Sequence, residues 1–178
     1  MIPSDHFVKF YNEIFKYLDG RGQDALDRYY ARVADRQAYF TLDRFRKDGL
    51  KGMYDYWERI RVEENCELVH DFHDDFYHLK MTMCPSLSKV TDNDAGPCPK
   101  YCDHCPGWVG RVIAMAGFWM VYDLVGRTTP QCEFWVFKSR EDAEAKRAEL
   151  AALRGDDLVK TNFDLVQTQN QPTRKGNG

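Results

Sequence analysis

The stretch Cys66-Glu-Leu-Val-His-Asp-Phe-His-Asp-Asp-Phe-Tyr-His-Leu-Lys-Met-Thr-Met-Cys84 is where the chain changes period. Cys66, Leu68, His70 and Phe72 alternate with polar neighbours, and alternation resumes from Phe76 to Cys84 after His73-Asp74-Asp75. A repeat of two places successive side chains on opposite faces of a strand, so the reading is two strands joined by a hairpin tip at His73–Asp75. With three tip residues, His70 falls opposite His78, Phe72 opposite Phe76, and Cys66 opposite Thr82 and diagonal to Cys84. Both histidines then share one face. His78 and Cys84 stand six residues apart on one strand, roughly 20 Å at the usual rise, which separates the histidines from any site built around Cys84.

N-terminal to this stretch the period is helical. Phe7, Phe10, Tyr11, Ile14 and Leu18 predict an amphipathic helix over 5–19, after a Ser4 cap and before Gly20. Leu26, Tyr29, Tyr30, Val33 and Phe40 predict a long helix broken near Thr41, and Leu50, Met53, Tyr54, Trp57 and Ile60 a further one ending near Arg61. The aromatic stripe reads as core packing. C-terminal to the hairpin, Thr91–Gly96 is a loop, Pro106 suits a first helical position, and the apolar spacing runs to about Gly117. Two further strands are expected at Phe118–Val125 and Glu133–Lys138, and a helix capped by Ser139 runs to Arg154 before Gly155. The expected fold class is α+β: N-terminal helices followed by an antiparallel sheet with an inserted cysteine-rich loop and helix. Residues 1–167 are expected to form one domain, and residues 168–178, which carry no apolar anchors, a disordered tail.

Composition narrows the function. The chain has 178 residues, enough for a substantial core, and its net charge of −3 excludes the basic stripe that a nucleic-acid partner requires. The sequence has neither a signal-peptide pattern nor a membrane-length apolar run, so a cytoplasmic protein with no membrane partner is expected. In a reducing compartment, clustered cysteines point to metal binding or catalysis rather than disulfides. The aromatic content is compatible with a homodimer.

Cys84, Cys98, Cys102 and Cys105 follow the spacing C-x13-C-x3-C-x2-C. Three thiols on a tight turn and a fourth from a preceding strand suit a metal site made of Cys84, Cys98, Cys102 and Cys105, holding zinc or a [4Fe-4S] cluster. A cysteine nucleophile activated at a helix N-terminus, or inert buried thiols, are the other readings of the same residues. Cys66 and Cys132 read as small core residues.

Met83-Cys84-Pro85, the run Cys98-Pro-Lys-Tyr-Cys102-Asp103, and Cys132-Glu-Phe-Trp-Val-Phe137 after Gly126-Arg127-Thr128 resemble the L-2-amino-thiazoline-4-carboxylic acid hydrolase family, over roughly residues 80–138. A weaker similarity extends to vinyl-reductase-type small-molecule binding domains, which also finish on a Cys-acid-Phe strand. The resemblance implies a hydrolase opening a small sulfur- and nitrogen-containing heterocyclic carboxylate. Ring opening requires an attacking thiolate or activated water, a proton donor and a cation for the carboxylate. Cys102, Asp103 and His104 are the catalytic candidates; Arg127, His70 and His78 are the substrate-binding candidates. Cys105 departs from that family's pattern, since an acidic residue is expected there. The extra thiol favours the alternative of a non-enzymatic module binding zinc, an iron–sulfur cluster or a small ligand.

Overall fold

The computed structural model describes residues 3–64, 66–92 and 96–166. The fold is α+β. Helices α1 (Pro3–Asp19) and α2 (Gln23–Glu63) precede the hairpin of β1 (Glu67–Phe72) and β2 (Phe76–Met83). There follow α3 (Pro85–Thr91), a 3-10 turn at Tyr101–Asp103, α4 (His104–Met115), β3 (Trp119–Asp123), β4 (Cys132–Phe137), α5 (Arg140–Arg154) and β5 (Val159–Thr161). The five strands form one antiparallel sheet in the order β1-β2-β4-β3-β5. The loop over Thr91–Gly96 is described only up to Asp92 and from Gly96, and the tail expected at 168–178 lies outside the described residues. No described helix is long and apolar enough to cross a membrane.

Alternation along the strands divides the packing. On one sheet face Leu68, Tyr77, Leu79, Met120, Tyr122, Phe134 and Val136 meet Phe45, Met53 and Trp57 of α2 and Val112 and Ile113 of α4. On the other, Trp119, Val121, Phe137 and Val159 meet Ala143 and Leu150 of α5. A third cluster lies off the sheet, where Val8 and Phe15 of α1 pack against Leu26, Tyr30, Leu87, Val90, Cys98 and Tyr101. The helix α5 begins as expected, with the Ser139 hydroxyl accepting from the Asp142 amide.

Four local expectations are corrected. The hairpin register is shifted by one residue: His70 faces Leu79, Asp71 faces His78, and Phe72 faces Tyr77. The His73 amide donates to the Phe76 carbonyl, so Asp74 and Asp75 alone make the turn. Because side chains alternate, that one-residue slip puts His70 and His78 on opposite faces. The break in the long helix is at Gly49 (φ 60°, ψ −136°), not Thr41. Thr41 is helical, and its hydroxyl donates to the Gln37 carbonyl. Helix α1 is already formed at Pro3, ahead of the expected Ser4 cap, and its buried face is Val8, Asn12 and Phe15. Phe7 and Phe10, with Phe40 of α2, are exposed, so that part of the aromatic stripe is not core. Finally, Cys84 does not end β2. It caps α3, where Pro85 occupies the first turn.

Gly49→Ala is expected to destabilise the protein by about 1–3 kcal/mol, since a Cβ is strained at positive φ whatever space surrounds it. Chemical denaturation measures this; a midpoint equal to wild type would show that α2 is not kinked there.

Candidate functional site

The end of the α2/α4-facing side of the sheet is closed by Cys84 at the start of α3, by Tyr101, Cys102, His104 and Cys105, and by Gln131 and Cys132 where β4 begins. With Leu87, Tyr122 and Leu124, these residues line a small, nearly apolar cavity of about 20 Å³, room for about one water molecule. Four thiols face it: Cys84, Cys102, Cys105 and Cys132. All six cysteines are free.

Local structure fixes each of these side chains. Cys84 Sγ accepts from the Leu87 amide, and the Cys84 amide donates to the Pro130 carbonyl, which ties α3 to the loop before β4. The Tyr101 hydroxyl bonds Ser86 Oγ at 2.6 Å, a second tie to α3. Tyr122 donates from its hydroxyl to Cys132 Sγ at 3.1 Å. Cys102 Sγ approaches the Arg127 carbonyl at 3.8 Å.

His104 sits against Cys105. Its Nδ1 bonds the Tyr101 carbonyl, which can only accept, so Nδ1 carries the ring proton in the neutral form. Nε2 then has a free lone pair, and Cys105 Sγ lies 3.2 Å from it. The ring is held by Phe15, stacked at 5.3 Å, and by Tyr101 and Trp108 at 5.0 and 4.6 Å. Burial sets the resting protonation. It pulls the His104 pKa down to about 4 and pushes the Cys105 thiol up to about 11, the latter partly offset by the neighbouring Tyr122 hydroxyl. Cys102 is pushed up to about 12 by burial and by the neighbouring thiols, and Cys84 and Cys132 are also raised, chiefly by burial. At neutral pH the pair therefore rests as thiol and imidazole.

The sequence-selected residues do not all assemble here. Cys98 belongs to the α1 cluster: it is 2 % exposed, and its amide donates to Asn12 Oδ1, while Asn12 Nδ2 donates to the Gly96 carbonyl. It lies outside the cavity lining, so Cys84, Cys98, Cys102 and Cys105 do not make the expected four-thiolate set. Among the described residues no group of three or more His, Cys, Asp or Glu side chains is placed to hold a metal ion. Asp103 turns away from the cavity to Arg127 Nη1 at 3.0 Å. Arg127 is further held by Asp157 at 3.4 Å, so the guanidinium straps the cysteine turn to the chain before β5. His70 is buried against Tyr54, bonds the Tyr77 hydroxyl at 3.0 Å and meets Glu58 at 2.9 Å. Arg61 and His70 together hold the Glu58 carboxyl down to about 2. His78, on the other face, stacks on Trp135 and pairs with Glu133 at 3.2 Å. Neither histidine lines the cavity.

Sequence reading passed over Asn12, Tyr122 and Cys132 as parts of this region. Tyr122 and Cys132 follow strand alternation and look like core. Asn12 is a polar residue in the buried i, i+4 row between Val8 and Phe15, and that position was the available signal.

Comparisons with protein-family models, with curated proteins and with solved structures found no match.

The neutral burial of His104 makes stability pH-dependent. Its folded pKa of about 4 lies below the ordinary 6.5, so the unfolded chain binds the proton first as pH falls. The contribution is intact above pH 6.5 and is lost between 6.5 and 4, about 3 kcal/mol in all. Urea denaturation from pH 7.5 to 4 should show this loss, and His104→Gln should remove most of the acid slope. An unchanged slope in that variant would assign it to other groups.

Proposed function

We propose that the chain is a hydrolase-like enzyme acting on a small sulfur- and nitrogen-containing heterocyclic carboxylate, with Cys105 as nucleophile and His104 as its proton acceptor. One observation carries the reading: an imidazole with its free lone pair 3.2 Å from a thiol, at the wall of a small and nearly apolar cavity. The substrate class rests on the resemblance of residues 80–138. Since neither group is charged at rest, the thiol proton moves to Nε2 as Sγ bonds to the ring carbon of the C=N group. His104 then returns that proton to the ring atom that leaves. A water molecule next attacks the carbon, the Cys105–carbon bond breaks, and the water's proton returns through Nε2 to the sulfur.

A five-membered ring needs more room than this cavity has. Substrate entry therefore requires the β3–β4 connection, which carries Leu124 and Gln131 at its two ends, to move outward. Arg127 reaches a substrate carboxylate by exchanging Asp157, whose contacts at 3.4 Å are looser than the 3.0 Å contact to Asp103.

The test is incubation with 2-aminothiazoline-4-carboxylate, assayed for ring opening, with acid quench and peptide mass spectrometry. The expected result is turnover with a substrate-derived adduct on Cys105. An adduct confined to another cysteine would reassign the nucleophile. Stoichiometric zinc or iron lost on replacing Cys105 would overturn the reading in favour of a metal module.

A further inference from the structure

Across the first turns of α4 from the cysteine cavity lies a second concavity of about 290 Å³. It is formed by Asp27 and Tyr30 of α2, Gly107 and Arg111 of α4, and Lys160 of β5, with Leu165 at its edge. Its polar groups are unusually poorly served. Tyr30 is 2 % exposed, and its hydroxyl has no hydrogen-bond partner among the described residues, a state that is costly for a buried hydroxyl. Tyr30 lines the cleft together with Asp27 and Asp103, and both carboxylates are among the electrostatic neighbours of its hydroxyl, as are Cys98 and Cys105.

The charges have the same property. Arg111 is half-buried and makes no hydrogen bond or ion pair with any described residue. Asp27, also half-buried, accepts a hydrogen bond from Gln23 at 3.1 Å, and no described cation pairs with it. Asp103 is neutralised by Arg127, and Lys160 has Asp157 at 3.8 Å. One cleft therefore presents an unpaired guanidinium and an unpaired carboxylate that do not meet each other. Pro106 and Gly107, in the first turn of α4, also line the cleft and bring the positive end of that helix's dipole to it. The Tyr30 ring closes against Gly107, where a Cβ would come within 2.5 Å of it, so that helix end and Tyr30 are locked together.

A ligand with a single charge leaves either Asp27 or Arg111 uncompensated. A small zwitterion satisfies both. We propose that this cleft binds a free amino acid, its carboxylate on Arg111 and its ammonium on Asp27, with the Tyr30 hydroxyl as a further hydrogen-bond partner. The site uses none of the cavity thiols and stands whether or not Cys105 is a nucleophile.

Isothermal titration calorimetry on the full chain tests it, using the twenty common L-amino acids one at a time, with acetate, inorganic phosphate and ethylamine as single-charge probes. At least one amino acid is expected to bind saturably, at least ~10-fold more tightly than any single-charge probe. Arg111→Gln and Asp27→Asn should each weaken it by ~10-fold or more. Tyr30→Phe, which keeps the packing against Gly107, should weaken binding without unfolding the chain and so guards against a misfolded charge variant. Saturable binding of none of the twenty overturns the proposal. So does phosphate or acetate binding as tightly as the best amino acid with Asp27→Asn without effect, which would mark an oxyanion site instead.

Discussion

Cys105→Ala is expected to lower turnover of 2-aminothiazoline-4-carboxylate by ~10³-fold or more, the scale at which a covalent nucleophile differs from residual binding effects. Cys66→Ala should stay within about twofold, and Cys102→Ala within about tenfold. The ordering follows from contacts. Cys105 Sγ has a proton acceptor at 3.2 Å, whereas Cys102 Sγ points to a backbone carbonyl, which can take no proton. Burial and the neighbouring thiols also raise Cys102. Cys66 packs beside the α2 end of the core, away from the cavity lining. The acidic limb of kcat/KM should lie near pH 4, where His104 gains a proton and can no longer accept one. Equal loss in Cys102→Ala and Cys105→Ala, with no acid limb from His104, would break the assignment of the pair.

The fold class was legible because hydrophobic period carries it: the change at Cys66 from helical to alternating spacing is visible in the residues themselves. Register was not. Turn residues His73-Asp-Asp75 admit either a two- or a three-residue connection, and the His73 amide bonding to Phe76 selected the shorter, moving His78 to the far face from His70. Period also fails to say which of two apolar helix faces will be buried. In α1 the spacing of Phe7 and Phe10 is as regular as that of Val8, Asn12 and Phe15, and the partners in α2 and α3 chose the second set, with Ile14 half-buried beside it. The cysteine spacing was read as one cluster because sequence proximity stood in for contact. Asn12, 86 residues away, draws the Cys98 amide into the helical cluster, and Cys132 from β4 takes the fourth place at the cavity. Neither pairing has a local signal.

Phe15→Ala is expected to cost about 3–5 kcal/mol, the range for deleting a fully buried aromatic side chain, and to lower Tm by roughly 6–20 °C for a chain of this size. Phe15 is 0 % exposed and meets Tyr29, Tyr30, Tyr101, His104 and Trp108 at ring separations of 5.3–6.4 Å. The surrounding rings belong to α2, the 3-10 turn and α4, each anchored elsewhere, so they collapse only partly into the space. The removed ring is also the one stacked on His104. Its loss lets water reach the imidazole, which relieves the desolvation that holds the His104 pKa near 4 and returns it toward 6.5. The variant should therefore be less stable at pH 7 yet lose less further stability between pH 6.5 and 4 than wild type does. Parallel denaturation at pH 7 and pH 4.5 separates the two effects. An unchanged Tm would remove Phe15 from the core, and a large loss at pH 7 with the full acid slope retained would show that the ring packs α1 without setting the protonation of His104.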